Sequence, residues 1–223
     1  MFKKVLIVDD HASANIGVLE VLDGLKIEKT NIQKSQYCDE AYLKIKRAIL
    51  DQVPFDLVIT DLQFKKDHRE EKLTSGEDLI AVLRKDYPEL PIIVFSGITL
   101  LQKVRLLFNN YKINAYVCKG RYASRELTNA IEKVYNKQMF LSEDVKQALS
   151  PKNDLEITDF DIELAKQLSL GKVQSQISEY FKTNKIIPSS VSSIEKRLNK
   201  LRIQFKADNA THLVAKMKDL GLI

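Results

Sequence analysis

Short apolar runs alternate with longer amphipathic stretches over the first 137 positions of the chain. Lys4–Val8 predicts a strand and Ser13–Leu22 a helix; a weaker strand near Ile32–Cys38 precedes a helix from Asp39 to Asp51. The pattern continues with a strand over Phe55–Thr60, a helix over Gly76–Lys85, a strand over Pro91–Phe95 and a helix over Leu100–Tyr111. Ala115–Cys118 and Ser124–Lys137 complete it. Five β/α alternations predict a parallel sheet covered by helices on both faces. The runs VLIV, LVI and IIVF are almost wholly apolar, as strands buried on both sides must be.

The sheet pattern stops near Lys137. A polar stretch from Leu141 to Asp154, interrupted by Ser150-Pro151, reads as a connector. Everything after Glu156 is helical in pattern: Thr158–Leu170 stopped by Gly171, then Val173–Phe181, Ser189–Arg202, and Asn209–Leu220 with Gly221 behind it. The expected organisation is an α/β domain over 1–137, a linker over 138–155 and a small all-α four-helix domain over 156–223.

A hydrophobic content of 44% and a charged content of 29% are ordinary for a globular protein. The apolar runs are too short to span a bilayer and no secretory signal precedes the first strand, so a cytoplasmic protein is expected. Two cysteines, Cys38 and Cys118, make neither a disulfide framework nor a zinc pattern and read as buried small hydrophobes. The net charge of +5 is unevenly placed: Lys182–Lys206 carries seven basic residues against the single acid Glu195. Such a segment suits a polyanionic partner, although a solvated helix face looks the same.

Five polar residues close apolar runs: Asp9 and Asp10 after VLIV, Asp61 after FDLVIT, Ser96 after PIIVF and Lys119 after AYVC. In a parallel α/β sheet, ligands sit beyond the carboxyl ends of the strands, so all five would share one edge. Taken singly, each has an ordinary explanation as a helix cap, a turn or a solvated strand end. Together, three carboxylates, a hydroxyl and an ammonium suit a magnesium ion and a phosphorylatable aspartate. Phosphoryl transfer depends mainly on positioning and on neutralising charge at the equatorial oxygens. Asp10 and Asp61 are the natural direct metal ligands, with Asp9 close by through water. Asp61 is the candidate nucleophile, and Lys119 and Ser96 would hold phosphoryl oxygens.

This constellation resembles the receiver domain of two-component response regulators of the LuxR/NarL type. VLIVDDH, LVITDL, VFSG and AYVCKG fall in that family's order. The resemblance implies a flavodoxin-like doubly wound sheet of five parallel strands. It also implies that Asp61 takes a phosphoryl group from a sensor histidine kinase, with the Gln63 backbone carbonyl beside Asp9, Asp10 and Asp61 around Mg2+. Ser96 and Tyr116 would form a coupled switch. Two features depart from the family: the segment after Asp61 lacks the usual Pro and reaches its Gly only at Gly76, several residues late, and Lys119 is followed by Gly120 rather than Pro.

In the helical part, Val191, Ile194, Leu198 and Leu201 share one face, leaving Ser192, Ser193, Lys196, Arg197 and Lys200 largely outside it. A short helix, a turn and a polar-basic second helix are the geometry of helix-turn-helix readers, and also of an ordinary amphipathic helix. Ser192 and Glu195 have capping-box spacing, with Ser189 an equal alternative cap. ITDFDIELAKQLSLGKVQSQISEYF and SSVSSIEKRLNKL resemble the LuxR-like DNA-binding domain, with a turn about three residues longer than usual. The resemblance implies Ser192, Ser193 and Lys196 on base edges and Arg197 and Lys200 on phosphates.

The expected function is therefore not that of an enzyme. It is a transcriptional response regulator that binds double-stranded DNA as a homodimer once Asp61 is phosphorylated. The alternative is a phosphorylation-independent DNA-binding regulator whose receiver is a constitutive dimerisation module. A metal-dependent phosphohydrolase fits less well, because Asp9-Asp10-His11 does not supply the Asp-x-Asp motif after the first strand.

Overall fold

The structure is a computed structural model that describes residues 1–65, 68, 70–149, 157–219 and 222–223. The chain divides into two compact units, the first being Met1–Leu149 and the second running to Ile223.

The first unit is built on strands β1 (Val5–Val8), β2 (Ile32–Ser35), β3 (Leu57–Thr60), β4 (Ile92–Ser96), β5 (Ala115–Cys118) and β6 (Phe140–Leu141). They form one sheet in the order β2-β1-β3-β4-β5-β6, with every pairing parallel. Helices α1 (Ala12–Gly24), α2 (Cys38–Leu50), α3 (Gly76–Asp86), α4 (Leu101–Tyr111) and α5 (Ala123–Tyr135) connect the strands. Strand residues alternate between two apolar layers, because successive side chains point to opposite faces. Leu6, Val8, Val58, Ile92, Val94, Tyr116 and Cys118 pack with residues of α2, α3 and α4. Val5, Ile7, Leu57, Ile59, Ile93, Phe95, Ala115 and Val117 pack with residues of α1 and α5. That double burial is why these runs carry no polar residue until they end. The edge strand β2 exposes Gln33 and Lys34, polar and charged side chains that discourage further strand pairing.

The sheet has six strands where the pattern predicts five. Phe140 and Leu141 pair with Ala115 and Tyr116, and a 3-10 turn follows over Glu143–Leu149. A two-residue strand is too short to show period-two alternation. Residues 140–149, read from sequence as connector, are thus folded onto the first unit, while Ser150-Pro151 lies outside the described residues.

The second unit comprises α6 (Asp159–Ser169), α7 (Gln174–Thr183), α8 (Val191–Gln204) and α9 (Ala210–Asp219). Leu164, Ala165, Ile177, Phe181, Ile194, Leu198, Leu201, Leu213 and Met217 are buried at its centre. Gly171 takes a positive φ of 79° just after α6, the left-handed conformation that ends a helix. The N-cap of α8 is Ser190, whose hydroxyl accepts the Ser193 N–H at 3.2 Å; neither Ser189 nor Ser192 is the cap. Gly221, expected to stop the last helix, lies outside the described residues.

Candidate functional site

Parallel pairing in register brings the ends of β1, β3, β4 and β5 to one edge. Asp61 N–H donates to Val8 O at 2.9 Å and Lys119 N–H to Ser96 O at 2.8 Å, which carries the ladder one residue past each strand. The crevice lies where the strand order reverses direction around β1 and β3, the place where doubly wound sheets bind ligands.

The Lys119 ammonium lies between two carboxylates, 2.8 Å from Asp9 Oδ2 and 2.5 Å from Asp61 Oδ2. Asp9 and Asp61 are buried, so unpaired charges there would be costly. Burial by itself would lower the Lys119 pKa, but its hydrogen bonds to Asp61 and Asp9 outweigh that and raise it. The remaining Asp61 oxygen, Oδ1, accepts the Leu62 N–H at 2.6 Å, with the Gln63 N–H farther off at 3.4 Å. Asp9 Oδ1 accepts the His11 N–H at 2.8 Å. Gln63 itself is exposed.

Ligand atoms of Asp9, His11 and Asp61 all lie within 4.8 Å of one another, the one such group among the described residues. Asp10 is placed differently from the expectation that it and Asp61 form the primary pair. Its Oδ2 accepts the Lys65 N–H at 2.9 Å. Its Oδ1 is buried without a hydrogen bond, although His11 Nδ1 approaches to 2.8 Å out of hydrogen-bond alignment. The buried Asp9 and Asp61 carboxylates are hard oxygen donors of the kind Mg2+ takes, and Asp10 Oδ1, outside that group, is a further carboxylate oxygen without a hydrogen bond. Asp9 and Asp61 are the carboxylates of that group that would hold it. His11, to which the sequence pattern assigns no role, joins the cluster from an exposed position.

Ser96 is fully buried at the end of β4, and Tyr116 is fully buried in β5. The Tyr116 hydroxyl donates to Ile98 O at 2.7 Å, in the turn that follows Ser96. Burial, reinforced by Cys118 and partly offset by a hydrogen bond with Ser96, pushes the Tyr116 phenol up. The two residues thus share one small environment beneath the crevice.

Gly76 is the other element of this edge. Its N–H donates to Leu62 O at 3.1 Å, and a Cβ there would lie 1.8 Å from the Asp61 carbonyl oxygen. The first turn of α3 can lie against the Asp61 backbone only because residue 76 has no side chain. The late glycine is visible in the sequence, but not what it touches.

In the second unit, Ser192, Lys196 and Lys200 are exposed on α8 and Ser193 is half-buried. Ser193, Lys196 and Lys200 line a groove of about 530 Å³ with Ile187 and Pro188 from the preceding turn. Arg197 lines the same groove, but its guanidinium is ion-paired. Its Nε and Nη2 each lie 2.5 Å from the carboxylate of Asp161, which is fully buried and also accepts the Thr158 N–H and hydroxyl. The residue expected on a phosphate is therefore committed to fastening α8 to the start of α6. Asp161 gives no signal in the sequence, since an acid in the first turn of a helix needs no partner.

No family model matches the sequence, and no curated protein matches it. Solved structures do match. RcsB from Salmonella enterica serovar Typhimurium, bound to promoter rprA in the presence of the phosphomimetic BeF3-, is 18% identical over 96% of this chain and 98% of its own, with a TM-score of 0.66. A structure of two RcsB dimers bound to two parallel DNAs is 18% identical over 97% of this chain and 98% of its own, with a TM-score of 0.64. The isolated REC domain of Salmonella RcsB covers 66% of this chain at 21% identity, with a TM-score of 0.51. The chain has the fold of these structures: a parallel α/β unit followed by a helical unit. Among its described residues, no helix is long and apolar enough to cross a membrane.

Proposed function

We propose that the chain is a DNA-binding response regulator of a two-component system, in which Asp61 accepts a phosphoryl group from the histidine of a sensor kinase. The observation that carries this reading is the Lys119 ammonium set between the buried Asp9 and Asp61 carboxylates at the strand-order reversal. In the step proposed, Asp61 Oδ2 attacks phosphorus, the donor's N–P bond breaks and its electron pair returns to the imidazole, leaving an aspartyl phosphate. The Leu62 N–H holds Oδ1 and so orients the attacking oxygen. Lys119 then follows the charge onto a phosphoryl oxygen, and the Ser96 hydroxyl donates to another. A Mg2+ ion held by Asp9, Asp10, Asp61 and the Gln63 carbonyl would supply charge neutralisation at the phosphoryl oxygens.

Phosphorylation shifts an existing equilibrium toward a homodimer that binds paired half-sites on double-stranded DNA. Ser192, Ser193 and Lys196 face base edges and Lys200 a phosphate. The exposed cations of α8, and the DNA complexes in which RcsB was solved, support this half of the reading. Incubation with a small phosphodonor and Mg2+ tests the acceptor: the intact mass rises by one phosphoryl group in the wild type and stays constant in Asp61→Asn. A gain that persists in Asp61→Asn removes Asp61 from the role. DNA affinity that is equal with and without a stable phosphoryl mimic selects constitutive binding instead.

A further inference from the structure

The segment after α5 is bound to the strand that carries the site. Phe140 N–H donates to Asn114 O at 3.2 Å and Ser142 N–H to Tyr116 O at 2.9 Å. Strand pairing stops at Leu141, but the Ser142 side chain continues it. This fully buried hydroxyl accepts the Cys118 N–H at 2.8 Å and donates to Glu126 of α5. The second Glu126 oxygen accepts the Glu143 N–H at 3.2 Å. Cys118 immediately precedes Lys119, so the last residues of β5 are held by Ser96 on one side and Ser142 on the other.

The rest of the segment is fixed to α4. Val145 and Ala148 are fully buried in the apolar layer that holds Tyr116, Val104, Leu107 and Phe108. Arg105 of α4 donates to the Ala148 carbonyl. Residues 140–149 therefore touch the strand that bears Tyr116 and runs into Lys119, and the helix that follows Ser96, and the chain from there leads into the second unit.

We propose that Ser142 is a positioning residue that ties the Phe140–Leu149 segment to Lys119, making this segment the route by which the acceptor site controls the helical unit. The inference rests on the proposed function. Its physical basis is that a buried N–H does not lose its acceptor without penalty. When Lys119 leaves the Asp61 carboxylate for a phosphoryl oxygen, an accompanying shift of the chain at Cys118 is passed to Ser142 through the Cys118 N–H hydrogen bond. The anchors on Glu126 and Arg105 keep the segment from absorbing that shift locally. Coupling then runs through this contiguous hydrogen-bonded path.

The test uses the full chain with beryllofluoride and Mg2+ as phosphoryl mimic, reading segment-resolved amide exchange and DNA affinity. In the wild type, exchange changes together in 115–119 and 140–149, and DNA affinity rises. In Ser142→Ala the change in 115–119 is retained, the change in 140–149 is lost, and the affinity gain shrinks about tenfold. Ser142→Thr, which keeps the hydroxyl, restores both. A purely structural serine would lower thermal stability and leave the two responses linked, and that result overturns the proposal. Should Ser142→Ala fail to fold, Arg105→Ala releases the Ala148 anchor and is judged by the same loss or retention in 140–149. No response in 115–119 of the wild type removes the acceptor reading itself, and this inference with it.

Discussion

Replacing Gly76 by alanine places a methyl group 1.8 Å from the Asp61 carbonyl oxygen, 2.8 Å from its carbon and 2.9 Å from Leu62 Cα. Ordinary carbon–oxygen contact is about 3.4 Å, so the two backbones must separate by roughly 1.6 Å. Neither yields easily: the Asp61 carbonyl accepts the buried Thr60 hydroxyl at 2.8 Å, and Gly76 N–H is bonded to Leu62 O at 3.1 Å. Overpacking against backbone costs about 3 kcal/mol, at the upper end for such changes. The broken Gly76–Leu62 hydrogen bond adds about 1 kcal/mol. Alanine's better helix propensity returns about 1 kcal/mol, leaving a net destabilisation of about 3 kcal/mol. For a unit of this size that is a fall of roughly 6–12 °C in Tm. Scanning calorimetry of the full chain resolves the first unit's transition, and Gly97→Ala serves as control because a Cβ there meets nothing within 4 Å. The displaced Asp61 backbone also slows phosphorylation by a small phosphodonor, read as mass gain against time. A Gly76→Ala protein melting within about 2 °C of the Gly97→Ala protein would refute the close-approach argument.

Arg197→Ala strands the fully buried Asp161 carboxylate and destabilises the second unit by about 3 kcal/mol, at the low end for a broken buried pair because Thr158 still donates to it; urea unfolding shows a lower midpoint even without DNA. Lys196→Ala and Lys200→Ala leave that midpoint unchanged, and removing a cation that binds a phosphate reduces the salt slope of DNA binding by about one. Burial, partly offset by the Ser142 hydrogen bond, pushes the Cys118 thiol up from 9.0 to about 11. The stability this contributes is complete below pH 9.0 and is lost as pH rises through about 11; Cys118→Ala flattens the urea midpoint across that window. Cys38 and Cys118, both buried, resist a thiol reagent near pH 8 until urea is added.

The sheet and its helices were legible because burial on both faces forces near-continuous apolar runs, and each run must end where the strand meets solvent or a ligand. The five polar residues at those ends, and their gathering at one edge, follow from that rule and parallel topology alone. What local pattern does not carry is which side chain meets which. Lys119 divides itself between Asp9 and Asp61, Asp10 accepts the Lys65 N–H, and Arg197, in the groove beside Lys196 and Lys200, pairs with Asp161. Each of these pairings joins residues tens of positions apart, and long flexible side chains on a helix surface look the same in sequence whether they bind solvent, a phosphate or a buried acid. The sixth strand and Ser142 were hidden for a related reason. Two residues are too few for a period, and a serine's hydrogen bonds are set by the backbone that tertiary packing brings beside it.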